Sequence, residues 1–213
     1  MRALGCRLAA WLRPGDLIIL NGELGSGKTQ LTQGIGRGLD VSGAIISPTF
    51  VLARMHRARG ARPMLVHVDA YRLTRPAEVD DLDLDAYLAQ AVTVVEWGRG
   101  LADHLSDDRL EIDITRADDP NDDTRTVVIR GCGARWGDAD LTGLAASLAP
   151  GTGKPESTDA ARGEPHAGGV TGATAGRGQT GGLVSGAEVA SLPPAGGGEA
   201  HDLWIRAQER VNG

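Results

Sequence analysis

The stretch Leu17-Ile18-Ile19-Leu20-Asn21-Gly22-Glu23-Leu24-Gly25-Ser26-Gly27-Lys28-Thr29 runs from an apolar segment into a glycine-rich turn. Four consecutive apolar residues suit a strand covered on both faces, as in a parallel sheet. Residues Gly22 to Thr29 complete the pattern G-x-x-x-x-G-K-[ST], and Leu31, Ile35 and Leu39 continue it as a helical stripe. A strand before and a helix after is the context that gives this P-loop pattern its meaning. Positive φ at Gly22, Gly25 and Gly27 turns successive N–H groups inward toward phosphates. Lys28 brings a point charge to the β- and γ-phosphates, the Thr29 hydroxyl is a ligand for Mg²⁺, and the helix adds its positive dipole end. The expected ligands are therefore ATP and Mg²⁺, held by Glu23, Leu24, Gly25, Ser26, Gly27, Lys28 and Thr29. What the nucleotide drives is left open by this pattern.

Outward from the P-loop, strand and helix signals alternate. Leu4, Leu8, Trp11 and Leu12 lie on one helical face before the turn Pro14-Gly15. Gly34, Gly36 and Gly38 interleave the stripe after the P-loop; each costs about 1 kcal/mol relative to Ala in a helix, so close packing is their expected reason. Further strands are expected over Phe50 to Arg54, Met64 to Val68 and Val92 to Val95, with helical stretches over Ala77 to Leu82 and Ala86 to Ala91. Leu110, Ile112 and Ile114 alternate with charged residues, Thr126 to Arg130 is another strand, and the polar loop Asp118 to Asp123 joins them as a hairpin. Leu141, Leu144, Ala145 and Leu148 suggest a closing amphipathic helix. The expected fold class is α/β, a P-loop NTPase fold with a mixed sheet flanked by helices and a late antiparallel hairpin, in one domain over residues 1–149.

Composition changes abruptly after that. Gly and Pro fill 19 of the 49 positions from Pro150 to Gly198, with no aromatic residue, so residues 150–198 are expected to be disordered. Residues 199–213 carry Leu203, Trp204 and Ile205 among charged residues; a frayed terminus is the first reading, and a short helix that docks is the alternative. The net charge of −6 gives no global attraction to nucleic acid, so an RNA contact requires a local basic patch or another protein. Cys6 and Cys132 have no disulfide-framework or zinc spacing. No apolar run is long enough to span a membrane, and a cytoplasmic protein is expected.

A P-loop needs an acid at the end of a neighbouring strand to hold the metal or its water. Asp69 ends one expected strand and Glu96 another, both at the carboxyl edge where α/β sheets bind ligands; spacing does not rank them. Ser47-Pro48-Thr49 falls where many P-loop enzymes keep a γ-phosphate switch, although locally it reads as a turn. Asp81, Asp83 and Asp85 imitate a calcium loop, but Ala86 stands where glycine is required.

Together, Gly22 to Thr29, Ser47-Pro48-Thr49-Phe50, His67-Val68-Asp69-Ala70-Tyr71-Arg72-Leu73 and Val95-Glu96-Trp97 resemble the TsaE (formerly YjeE) family of bacterial tRNA threonylcarbamoyladenosine biosynthesis ATPases, over roughly residues 2–148. The resemblance implies a small P-loop ATPase working with a threonylcarbamoyl transferase and that transferase's inactive paralogue. Their product is threonylcarbamoylated adenosine 37 in tRNAs reading codons that begin with A, and tRNA is met through the complex. It also implies Thr29 and Glu96 as Mg²⁺ ligands, Lys28 as phosphate clamp, Thr49 as switch residue and Asp69 as second acid at the nucleotide. Arg125 is implied as a further nucleotide contact. The chain departs from the family in opening directly in the helix Arg2 to Leu12 rather than in a strand, and in carrying Gln30 where a second Thr is common. Two other readings compete: a small-molecule or nucleoside kinase with Asp69 as base, and a nucleotide-gated assembly module without turnover of its own.

Overall fold

A computed structural model describes residues 1–119, 121–136, 143–144, 146, 188–191 and 203–210, the last two segments as backbone. The apolar run Leu17 to Leu20 becomes strand β1 (Leu17–Asn21), whose first four residues are fully buried. The P-loop turn feeds helix α2 (Lys28–Gly38). Before β1 lies helix α1 (Arg2–Leu8), extended by a 3-10 turn over Ala9–Trp11. Strands β2 (Ala53–His56), β3 (Met64–Asp69) and β4 (Ala91–Glu96) follow, with short helices α3 (Pro76–Asp80) and α4 (Asp85–Leu88) between the last two. The expected hairpin is β5 (Arg109–Arg116) and β6 (Thr124–Cys132). Two more strands, β7 (Glu188–Ser191) and β8 (Leu203–Arg210), complete an eight-stranded sheet in the order β2-β3-β4-β1-β5-β6-β8-β7.

The mixed α/β sheet expected from the sequence is present. β3, β4, β1 and β5 run parallel, while β2 and β6 are antiparallel to their neighbours. Register decides where the site forms. Leu20 pairs with Glu96 and Asp69 pairs with Glu96, so three strands end level beside the P-loop.

Each face of the sheet has its own core. One is built by Leu4, Leu8, Leu31, Ile35 and Leu39 from α1 and α2 against Ile18, Leu20, Val92, Val94, Leu110 and Ile112. The other joins Leu17, Ile19, Val66, Val68 and Val95 to Val79, Leu84 and Ala102. The glycines of α2 have the expected cause. A β-carbon at Gly34 would meet the Arg2 carbonyl, one at Gly38 the Ala9 β-carbon and one at Gly36 the Ile45 side chain. From the other helix, a β-carbon at Gly5 would meet the Leu31 carbonyl, so α1 and α2 approach to backbone contact.

Four sequence expectations are corrected. β2 starts at Ala53 rather than Phe50, because the N–H groups of Val51 and Leu52 both donate to the Pro48 carbonyl and Leu52 has a φ of 64°. α3 and α4 are shorter than expected. Within residues 199–213, read as a frayed terminus or a short helix, Leu203–Arg210 is instead strand β8, and residues 188–191, inside the span expected to be disordered, are strand β7. The sequence Leu203-Trp204-Ile205-Arg206-Ala207-Gln208 alternates apolar and larger polar or aromatic residues with period two, which suits a strand. β6 would otherwise end the sheet, and its backbone pairs with β8 from Thr124–Arg210 to Arg130–Trp204. The rest of residues 150–213 and most of the expected closing helix lie outside the described residues; Leu144 of that helix is buried in the α1–α2 core.

Candidate functional site

The P-loop backbone takes the conformation that its glycines permit, with φ of 139° at Gly22, 75° at Gly25 and 110° at Gly27. Gly22 is further constrained: a β-carbon there would strike the Ile114 carbonyl of β5. Lys28 is buried, and its Nζ donates to the carbonyls of Gly22 (2.6 Å) and Glu23 (3.0 Å), so the ammonium lies beneath its own loop. It also sits 3.8 Å from the centre of the Trp97 ring. Burial pushes the Lys28 pKa down, and the charges of Glu96 and Asp69 pull it back up.

Both strand-end acids are buried, and they have different partners. The Thr29 hydroxyl lies 2.9 and 3.1 Å from the two carboxylate oxygens of Glu96. Behind it, fully buried His67 places Nε2 2.8 Å from Glu96 Oε1, where the ring N–H donates to the carboxylate. Asp69 faces the other way. Its Oδ2 accepts from the hydroxyls of Ser47 (2.6 Å) and Thr49 (2.5 Å), and its Oδ1 accepts from the Tyr71 N–H (3.1 Å). One carboxylate thus touches the P-loop threonine, and its neighbour clamps the Ser47–Thr49 turn.

These groups share a cleft of about 430 Å³ lined by Gly25, Gly27, Lys28, Thr29, Ser47, Thr49, Asp69 and Glu96, together with Leu24, Gln30, Tyr71 and Trp97. Trp97 stands at φ 63°, a costly conformation for a bulky residue, and its ring packs 5.2 Å from that of Tyr71. Glu23 and Gly22 instead line an adjoining cleft with Thr115, Arg116 and Asp118 from the β5–β6 hairpin. Arg116 reaches toward the P-loop, its Nη1 3.9 Å from a β-carbon built at Gly25. Arg125 lines neither cleft. It is buried on β6 opposite Arg116, donates to the Thr124 carbonyl at 3.0 Å, and its Nε has no partner among the described residues.

The donor set fits the groups that the P-loop pattern implies. A hydroxyl and one carboxylate are hard oxygen ligands, and Mg²⁺ is commonly held by one or two carboxylates with substrate phosphates and waters. The described residues contain no cluster of three or more His, Cys, Asp or Glu able to cage a metal alone. The Ser26 hydroxyl is buried within the loop without a partner among the described residues.

Sequence reading had picked out Lys28, Thr29, Thr49, Asp69 and Glu96, and the fold brings all five together. It had missed His67 as the support of Glu96, and Arg116 and Trp97 as neighbours of the loop. A lone histidine inside an apolar strand carries no signal of its own. Its i, i+2 spacing from Asp69 only becomes informative once Glu96 is known to lie on the next strand. No helix among the described residues is long and apolar enough to cross a membrane.

Comparison with known proteins identifies the family. The family model described as "Threonylcarbamoyl adenosine biosynthesis protein TsaE" matches residues 1–127. A Streptomyces coelicolor protein described as tRNA threonylcarbamoyladenosine biosynthesis protein TsaE is 55% identical over 147 residues, covering 68% of this chain and 99% of the relative. A Bacillus subtilis protein of the same description is 38% identical over 136 residues, covering 63% and 82%. The crystal structure of YdiB from Bacillus subtilis superposes with a TM-score of 0.54 at 31% identity, over 68% of this chain and 86% of that one. The chain belongs to the TsaE family of tRNA threonylcarbamoyladenosine biosynthesis proteins.

Proposed function

We propose that this protein is a Mg²⁺-dependent ATP hydrolase whose turnover serves threonylcarbamoylation of adenosine 37 in tRNAs reading codons that begin with A. In this reading it acts with a threonylcarbamoyl transferase and the transferase's inactive paralogue. The observation that carries the reading is the contact between the Thr29 hydroxyl and both oxygens of Glu96, in the same cleft as Lys28 and Asp69.

Backbone N–H groups of Glu23 to Thr29 cradle the phosphates, and Lys28 leaves the Gly22 and Glu23 carbonyls to pair with them. Thr29 and Glu96 would hold Mg²⁺, and His67 fixes the carboxylate's orientation as an outer hydrogen-bond partner does at other metal sites. When bound, Mg²⁺ neutralises charge on the β- and γ-phosphate oxygens. Asp69 orients the attacking water, and its grip on Ser47 and Thr49 couples that orientation to the switch turn. Arg116, rather than Arg125, supplies the positive contact from the hairpin.

A fluorescent ATP analogue titrated with and without Mg²⁺, followed by turnover assays with and without the two purified partner proteins, tests the reading. Lys28→Ala removes a charge-assisted contact worth about 1.5–3 kcal/mol, so binding should weaken roughly 10- to 150-fold while the circular dichroism spectrum is kept. Turnover should proceed without any small-molecule acceptor and rise with the partners. Undiminished binding in Lys28→Ala would remove the assignment, and phosphate transfer only to an added acceptor would favour the kinase reading.

A further inference from the structure

Positive charge is unevenly placed in this acidic chain. Residues 1–68 hold nine Lys and Arg against three Asp and Glu, a net +6, which leaves −12 on residues 69–213. From Val41 to Val68 there is no carboxylate, while Arg54, Arg57, Arg59 and Arg62 fall within nine residues.

The fold gathers much of this charge on one surface. The Arg59 N–H donates to the Asp40 carbonyl and the Ser42 N–H to the Arg57 carbonyl, both at 2.9 Å, and Val41 bridges Ala58. The β2–β3 hairpin is thereby fastened to the end of α2, where Arg62 Nη1 donates to the Gly38 carbonyl at 2.8 Å. Arg2 joins through Gln33 Oε1 at 2.9 Å, and Arg2 and Arg37 line an open groove of about 430 Å³. Arg2, Arg37, Arg57, Arg59 and Arg62 are all exposed. The groove's carboxylate is Asp40, whose 3.7 Å pair with Arg59 is itself exposed and so strongly screened.

We infer that this face, formed by Arg2, Arg37, Arg57, Arg59 and Arg62, binds the phosphodiester backbone of tRNA. The choice of tRNA rests on the proposed function, whereas the affinity for a polyphosphate rests on the arginines alone. Guanidinium groups match phosphate geometry, and such contacts position an RNA without reading its sequence. α2 runs from the P-loop to this face, about 16 Å over its eleven residues, so RNA here does not compete with the nucleotide. An acidic protein partner is the weaker fit. Protein interfaces are anchored by aromatic and large apolar residues, whereas the groove beside Arg2 and Arg37 is lined by glycine, alanine and two aliphatic side chains, with no aromatic residue among them.

The test is fluorescence anisotropy of a labelled tRNA transcript with the full-length chain over a range of salt, with poly-glutamate as competitor. Arg62 is left intact because it caps α2. Arg37→Ala/Arg57→Ala/Arg59→Ala should weaken binding about tenfold or more and lower the slope of log K against log salt by roughly two to three. The corresponding triple Arg→Lys variant should stay near wild type, and ATP-analogue binding should be unchanged in both. Wild-type chain that does not bind the transcript, or a triple alanine variant that binds it with the wild-type slope, overturns the inference. Displacement of the tRNA by poly-glutamate at equal charge concentration would assign the face to an acidic protein. Each of these outcomes is independent of whether ATP is hydrolysed, so the face and the ATPase reading can fail separately.

Discussion

Glu96 and Asp69 are the same chemical group at paired strand ends, yet their surroundings ask for different chemistry. Glu96 meets a threonine hydroxyl from the P-loop and is steadied by a buried imidazole, whereas Asp69 is occupied by two hydroxyls of the switch turn. An amide at position 96 would remove the charge that attracts a divalent cation. Glu96→Gln should therefore raise the Mg²⁺ concentration needed for nucleotide binding about tenfold or more, equivalent to about 1.4 kcal/mol. Asp69→Asn should bind nearly as wild type and lose turnover, because a water-orienting group acts mainly in the transition state. Titrating Mg²⁺ against a fluorescent ATP analogue decides it; if Asp69→Asn is the variant that needs more Mg²⁺, the two roles must be exchanged. The two acids were legible in the sequence because each ends an apolar strand. Their partners were not, since Ser47 and Asp69 are 22 residues apart and Thr29 and Glu96 are 67 apart.

Between α1 and α2 the decisive feature is a missing atom. Gly34 lies where the Arg2 backbone passes, and Gly5 where Leu31 passes. Helix propensity alone predicts that Gly34→Ala stabilises by about 1 kcal/mol. Overpacking at a backbone contact predicts the opposite, a loss of about 1–3 kcal/mol, and should win because neither carbonyl can rotate away. Urea unfolding midpoints of Gly34→Ala and wild type distinguish the two; a higher midpoint for the variant would mean that the helices can separate cheaply. The glycine pattern suggested close packing from sequence, because three helix-weakening residues in one stripe need a reason. The partner helix was not legible from it, since any neighbour would explain the same glycines. β2 was misjudged by three residues for a related cause: the bonds to Pro48 that delay the strand depend on a turn held by distant Asp69.

At the scale of the whole molecule, residues 24–97 supply the groups that line the main cleft among the described residues, whereas the backbone of β8, from beyond residue 200, pairs with β6. A chain ending at Pro150 should therefore bind the ATP analogue as the full chain does. It should also expose the β6 edge, an open row of N–H and C=O groups prone to pairing with other chains. Light scattering coupled to size exclusion should find concentration-dependent self-association of the shortened chain; loss of nucleotide binding would show that β8 supports the cleft after all. The late strand escaped sequence reading because six alternating residues behind a long Gly- and Pro-rich span carry little signal beside the composition around them.

That distance along the chain also has a meaning in time. At about 5–20 residues per second, the ribosome needs roughly 4–14 s to add the residues between Cys132, the end of β6, and Leu203. The nucleotide cleft can thus close on the nascent chain while β6 still waits for its neighbour. Newly made copies on one messenger would pass through those seconds side by side, so crowding of translation on a single transcript, rather than the concentration of finished protein, sets how often β6 meets the wrong strand.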